Sequence, residues 1–334
     1  MSNSDDILVE SNISPIQRVR TGLYSLDCAL SSRGDIGLPR GCLSLLYGNT
    51  HVGKSSLTYY LAASCSAGGR LVLCDLEGID IEYVKSAVKQ AGFTGTLRQV
   101  SPVDDKGRIQ NHRAMTQDMV ADFDAHPDLP MAGILDSVSA YIPAAEMENE
   151  IGEANMGRRA FELSQFARKA VVRCSDPNRK QSANMFVVSH SHALLGMGKG
   201  HDTSGGEAIK SLSAIRLFLW QKEILDSTEK ILGFLVAGKV EKLRYGGKGR
   251  EFQFVIIPDI GVSKPMTAVF DCFNLGLVKR ERTIKVDGKS FGYLSTLFGM
   301  ALHPGNQFDP FYKLLEEHYG NTNTGLLESS DLGE

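Results

Sequence analysis

The sequence predicts an α/β fold: a twisted, mixed and mainly parallel sheet with helices on both faces and small terminal extensions. Three observations predict it. Short apolar runs alternate with stretches of helical periodicity between residues 42 and 190. One of those runs empties into a glycine-rich loop that opens a helix. Beyond residue 213 the apolar runs follow one another with short links, as an antiparallel finish requires.

The elements follow in order. Residues 1–20 read as an arm: "NISPIQRVR" alternates enough for a short edge strand, and Pro15 bars it from the middle of a sheet. Gly34, Gly37, Pro39 and Gly41 punctuate a loop, and "CLSLLYG" is a buried strand. Leu57, Tyr60, Leu61 and Ser64 recur at helical spacing until Gly68 and Gly69 stop the helix. "RLVLCDLE" is the next strand; Met115, Met119, Val120 and Phe123 mark a helix face; "MAGILD" is a strand; Phe161 to Val172 is helical. "NMFVVSH", "AIRLFLW", "FLVAGKVEKL" and "EFQFVII" complete the sheet. The core thus runs over residues 21–275. After Pro265 the pattern is mixed, and a small C-terminal region, 276–320, ends in a helix from Pro310 to Tyr319. The tail, 321–334, is polar and acidic with the composition of a disordered cover. No internal repeat is present.

Bulk properties exclude more than they assign. The 334 residues carry 36 Lys and Arg against 39 Asp and Glu, so a nucleic-acid partner must be met by locally placed cations, not by an overall positive field. The six cysteines form no C-x-x-C pair and several lie in apolar runs, which fits reduced thiols in a reducing cytoplasm. No apolar stretch approaches a membrane span, and "MSNSDDILVE" lacks the basic and apolar parts of a secretion signal.

The chemistry starts at "YGNTHVGKSSL". Gly48, Gly53, Lys54 and Ser55 fit G-x-x-x-x-G-K-[ST] between a strand and a helix, where a phosphate cradle has to stand. Backbone N–H groups from Gly48 through Asn49, Thr50, His51, Val52 and Gly53 to Ser56 would surround phosphate oxygens; Lys54 would reach the outer phosphates and Ser55 would ligate Mg²⁺. The alternative is a chance glycine-rich turn. Asp136, ending an apolar strand, is the second metal-site acid, against the reading of an ordinary strand-ending Asp. Asp75 and Glu77 share a face by the period of two. Glu77 is the candidate to orient water, against a plain salt bridge to a neighbour.

A longer stretch narrows the family. "LDSVSAYIPAAEMENEIGEANMG", Leu135 to Gly157, resembles the segment of the bacterial RecA recombinases between the metal-site Asp and the first DNA-binding loop. "TGLYSLDCAL" with "GLPRGCLSLLYG", and "TSGGEAIKSLSAIRLFL", resemble other parts of the same core, a P-loop NTPase; "VEKLR" at Val240 to Arg244 is similar to the UvsX recombinases of tailed phages. Ser189-His190 stands where RecA has Asn-Gln, and UvsX-type sequences also place a histidine there. The resemblance implies an ATP-dependent strand-exchange recombinase and DNA-dependent ATPase. It would form helical filaments on single-stranded DNA, sample homologous duplex DNA and work with mediator and single-strand-binding proteins in a bacterial or phage-infected cytoplasm.

The same resemblance assigns roles. His190 would couple nucleotide state to the following loop; a buried structural histidine and a metal pair with His192 are the alternatives. Two loops, about 147–157 and 191–205, would hold DNA. They use Met156, Gly157, Arg158 and Arg159 in the first, and Leu194, Leu195, Met197, Lys199, Gly205 and Gly206 in the second. The first loop's Glu146, Glu148, Glu150 and Glu153 cannot face phosphates; they would meet basic residues of a neighbour or cap the next helix. Lys242 and Arg244 would reach the γ-phosphate held by an adjacent subunit, and Asp80 and Tyr83 would contact the base. The arm is the candidate strand for subunit exchange. Rival readings are a recombinase paralogue that mediates assembly, a hexameric helicase motor and a small-molecule kinase. The paralogue is disfavoured by Glu77, Lys242 and Arg244, the motor by the match over Glu146 to Gly157, and the kinase by the lack of a substrate lid.

Overall fold

Alternation of apolar side chains decides the layering. In the strand Leu43–Gly48, Leu43, Leu45 and Tyr47 pack into one hydrophobic cluster while Leu46 packs into another. The neighbouring strands divide likewise, with Leu71 and Leu73 opposed to Val72 and Cys74, and Phe186 opposed to Met185 and Val187. Strands apolar on both faces need a helical layer on each side. The computed structural model supplies both and describes residues 16–32, 35–148, 157–193, 201–203, 206–244 and 246–322.

In chain order the elements begin β1 (Arg18–Val19), α1 (Tyr24–Ala29), β2 (Leu38–Pro39), β3 (Leu43–Gly48), α2 (Lys54–Cys65), β4 (Arg70–Asp75), α3 (Ile81–Gln90), β5 (Thr96–Gln99), α4 (His112–Ala125) and β6 (Met131–Asp136). They continue with α5 (Ala144–Glu148), α6 (Arg158–Cys174), β7 (Ala183–Ala193), β8 (His201–Thr203), α7 (Gly206–Leu212), β9 (Ile215–Leu225), β10 (Ile231–Leu243), β11 (Glu251–Ile257) and β12 (Gly261–Val262). The last are α8 (Lys264–Asn274), the hairpin β13 (Lys285–Val286) and β14 (Lys289–Ser290), α9 (Leu294–Ala301) and α10 (Asp309–Thr322). Along the main sheet the order is β12, β11, β10, β9, β3, β7, β6, β4, β5, and β8 hangs on the end of β7. Strands β9, β3, β7, β6, β4 and β5 run parallel, and β9 through β12 are antiparallel neighbours. Helices α2 and α3 cover one face, and α4, α6 and α7 the other. A third cluster joins α8, α9 and α10 to Ile224, Val255 and Ile257 at the antiparallel end.

Among the elements that escaped the sequence reading, three have a local reason. Helix α3 begins on Asp80, whose carboxylate accepts from Glu82 N. Helix α8 has Ser263 as N-cap and Pro265 in its first turn, a start signal hidden inside a stretch read as mixed. The root of the second loop is a hairpin, with Ser191 paired to Thr203 and Ala193 to His201. Its arms are three residues each, too short for alternation to register. In the arm, β1 pairs with β2 of its own chain, and residues 1–15 lie outside the described part. Among the described residues no helix is long and apolar enough to cross a membrane, and all six cysteines are free thiols.

Candidate nucleotide and DNA site

Parallel strands deliver their C-terminal ends to one edge, and four of them build the site: β3, β4, β6 and β7. The loop after β3 has two positions that only glycine fits. A Cβ on Gly48 would lie 2.4 Å from the Leu219 carbonyl oxygen, and one on Gly53, at φ +83°, would lie 2.2 Å from Ile256 Cδ1. His51 adds a positive φ of 61°. Gly53 caps α2 without a side-chain acceptor, so the first amides of the helix are left for a ligand.

Lys54 is buried at the foot of this loop, and its ammonium donates to the Asn49 carbonyl at 2.7 Å. Burial lowers its pKa, and the charges of Asp136 and Glu77 oppose that shift. Asp136, 4% exposed at the end of β6, accepts from the Tyr59 hydroxyl at 3.0 Å. Burial raises its pKa to about 6 against the hydrogen bonds of Ser55 and Tyr59. A buried carboxylate joined to the Ser55 hydroxyl, with one ammonium beside them, is the donor set that Mg²⁺ and a triphosphate require. ATP with Mg²⁺ fits these residues.

Glu77 lies just past β4, and its Oε1 accepts from the Ser137 hydroxyl and stands 3.3 Å from His190 Nε2. Asp75 does not share its work. The Asp75 carboxylate accepts from Glu77 N, Gly78 N and Ile79 N at 2.7–3.1 Å, closing a turn that ends the strand before Glu77. Alternation therefore stops at Asp75, and the shared-face expectation for the pair fails. The His190 amide donates to Ser139 Oγ at 2.9 Å, on the 3₁₀ turn Val138–Ala140 that leads to the first loop. Among the described residues no group of three or more His, Cys, Asp or Glu side chains is placed to hold a metal ion.

The other predicted residues are dispersed. Tyr83 meets Ser56 across 2.8 Å and packs edge-on to Tyr59, next to the loop, whereas Asp80 is occupied as the cap of α3. Arg158 is exposed at the start of α6; Gly157, at φ +86°, caps that helix. Arg159 turns inward and donates to the carbonyls of Val138 and Ser139, and Glu146 of the same chain stabilises its charge. Gly206 opens α7 at φ +73°. Met156, Leu194, Leu195, Met197, Lys199 and Gly205 lie outside the described residues. Lys242 and Arg244 are far from Lys54: Lys242 stands opposite Arg216, itself level with Leu45, three residues before Gly48. That is roughly 10 Å down the strand and two strands across, beyond a lysine's reach. Lys242 instead donates to Ser211 O at 2.7 Å, at the C-terminus of α7. Sequence reasoning missed Tyr59, Ser137, Ser139 and Ser191, whose types carry no signature before the strand ends are placed.

A doubly covered, mainly parallel sheet with this loop, cation and buried acid defines a P-loop ATPase of the RecA-like class. The RecA N-terminal domain matches residues 5–263, and the chain belongs to the RecA family. It is 28% identical over 268 residues to the RecA protein of Saccharopolyspora erythraea, covering 80% of this chain and 72% of that protein. It is 27% identical over 307 residues to the RecA protein of Geobacter metallireducens, covering 91% and 81%. The RecA protein of Acidothermus cellulolyticus is 26% identical over 270 residues, covering 80% and 73%. The chain is accordingly an ATP-dependent DNA strand-exchange recombinase and a DNA-dependent ATPase. The family uses ATP with Mg²⁺, binds single-stranded DNA and forms filaments.

Proposed function

We propose that this chain performs recombination with an ATP site completed by a neighbouring copy, and that it belongs to the UvsX-type phage branch. One observation carries the reading: Lys54, Ser55, Asp136 and Glu77 converge at one sheet edge, while Lys242 and Arg244 sit at the other end of the same sheet. In a head-to-tail assembly the second end can face the first end of the next subunit.

Ser55 and Asp136 would hold the shell of Mg²⁺, and Lys54 would take the outer phosphate oxygens. An Mg²⁺ ion held there would supply positive charge against the negative charge that develops on the phosphates. Glu77 Oε1 receives the Ser137 and His190 contacts, which leaves Oε2 to orient a water and accept its proton. His190, joined to Glu77 by its ring and to Ser139 by its amide, would carry the nucleotide state to both loop roots. The two loops, with Arg158 and Lys199 as their cations, would hold single-stranded DNA and then a homologous duplex. Residues 1–20 would serve the exchange between subunits and 321–334 would act as a cover; mediators and the infected-cell cytoplasm belong to the phage reading.

The test is ATP hydrolysis with and without single-stranded DNA, alongside electron microscopy of the same mixtures. Stimulation by DNA with helical filaments is expected. A rate indifferent to DNA, or closed rings, would remove the reading in favour of a motor or an assembly partner.

A further inference from the structure

One contact at the site plays no part in the chemistry above. Ser191 Oγ donates to Asn49 Oδ1 at 2.8 Å. Ser191 is the first residue of the β7–β8 pairing, opposite Thr203, and Asn49 belongs to the phosphate loop. The main-chain carbonyl of Asn49 accepts from Lys54 Nζ. A single residue therefore carries the cation aimed at the phosphates on its backbone and the root of the hairpin on its side chain. His190 engages a different set of partners, Ser139 and Glu77. The alternation of a strand sends neighbours 190 and 191 to opposite sides, so the two links are separable.

We propose that Ser191 is a positioning residue that couples the second DNA loop to the phosphate loop through Asn49. When Lys54 moves toward a phosphate the load on the Asn49 carbonyl changes, and with it the setting of the amide that Ser191 holds. His51 at φ 61° and Gly53 at φ 83° fix the loop's path, so a displacement at Lys54 is passed along the loop. Coupling between two binding sites is reciprocal, so the same contact lets DNA alter the grip on nucleotide. The inference rests on the reading that the segment after β7 binds single-stranded DNA.

The experiment uses the full chain with Ser191→Ala and Ser191→Thr. A labelled oligodeoxythymidylate is titrated without nucleotide and with a non-hydrolysable ATP analogue plus Mg²⁺, and ATPase is measured with and without DNA. The readout is the ratio of DNA affinities with and without the analogue, from which any change in the DNA-free ATPase rate or the nucleotide-free affinity divides out, and Ser191→Ala is judged on that ratio. It should lose about three- to tenfold of the tightening that the analogue induces, which is the worth of one hydrogen bond. Analogue affinity should lose the same factor of its gain from DNA, and Ser191→Thr, which keeps the hydroxyl, should restore both. Wild-type coupling in Ser191→Ala overturns the proposal, as does equal loss in the Thr variant. A wild-type protein whose DNA affinity ignores the analogue overturns the DNA-loop reading and the coupling together.

Discussion

The two ends of the central sheet differ in how their charges are satisfied. At the C-terminal ends of β3, β4, β6 and β7, Lys54 faces Asp136 and Glu77, and each charged group has a partner within the chain. At the far ends of β9 and β10, Arg216, Lys242 and Arg244 gather with one opposing acid, Glu207, and Lys242 has its pKa lowered by burial and by the two arginines. Among the described residues, the buried Arg216 Nε has no hydrogen-bond partner. A cluster of like charges is unfavourable unless an anion arrives, which suits the second end to its proposed role as half of a site whose other half is the first.

The largest effect should come from dividing those halves between proteins. Replacing Lys242 and Arg244 by Ala should lower DNA-stimulated ATPase by about 10³-fold or more, the range of cations supplied in trans. Lys54→Ala should be nearly inactive too. Mixing the two proteins should recover part of the rate at interfaces that pair an intact loop with intact cations. Co-assembled mixtures with no recovery would break the comparison. Next in size, Glu77→Gln should lower the single-turnover rate by about 10²-fold or more while leaving analogue binding near wild type, as the loss of a proton acceptor requires. A matched loss of affinity would make Glu77 an electrostatic or structural group instead.

The asymmetry between the ends also explains what the sequence made legible. Gly48 to Ser55 is a local pattern, and Asp136 and Glu77 end apolar runs, so residue type and spacing were enough to find them. Lys242 and Arg244 were legible as a basic run, but their address was not, because register across two strand pairs decides which end they occupy. Asp75 was misread for a local reason: its carboxylate collects three amides that the strand would otherwise have used. The serines at 137, 139 and 191 could not be read at all, since a hydroxyl acquires meaning only from what folding sets opposite it.

The antiparallel end holds a buried acid of its own, and it gives a smaller effect. Asp271 on α8 accepts from Ser25 N at 3.2 Å and Gln253 Nε2 at 3.1 Å, tying α8 to α1 and β11, with Cys28, Cys272 and Tyr319 alongside. Burial pushes its pKa from 3.8 up to about 7. A raised folded-state pKa means stability that is whole below the unfolded value and lost as pH rises through the folded one. The chain should therefore weaken between about pH 4 and pH 7 by on the order of 1–3 kcal/mol from this group. Asp271→Asn should flatten that part of the curve in urea melts. An unchanged slope would mean the carboxylate stays ionised among its donors.

The smallest effect sharpens the comparison most. In a single chain Lys242 donates to the carbonyls of Lys210 and Ser211, a cationic cap on α7, and such caps are worth about 0.3–1 kcal/mol. Repulsion from Arg216 and Arg244 works against that gain. The two oppose each other, so Lys242→Ala should shift the melting temperature of the unassembled chain by less than about 2 °C, in either direction. The same substitution should remove most of the stabilisation that an ATP analogue brings to the assembled protein if, as proposed, an anion of the next subunit relieves the repulsion. A large drop in the unassembled chain would instead show that Lys242 is spent on its own helix, and the two ends of the sheet would no longer be halves of one site.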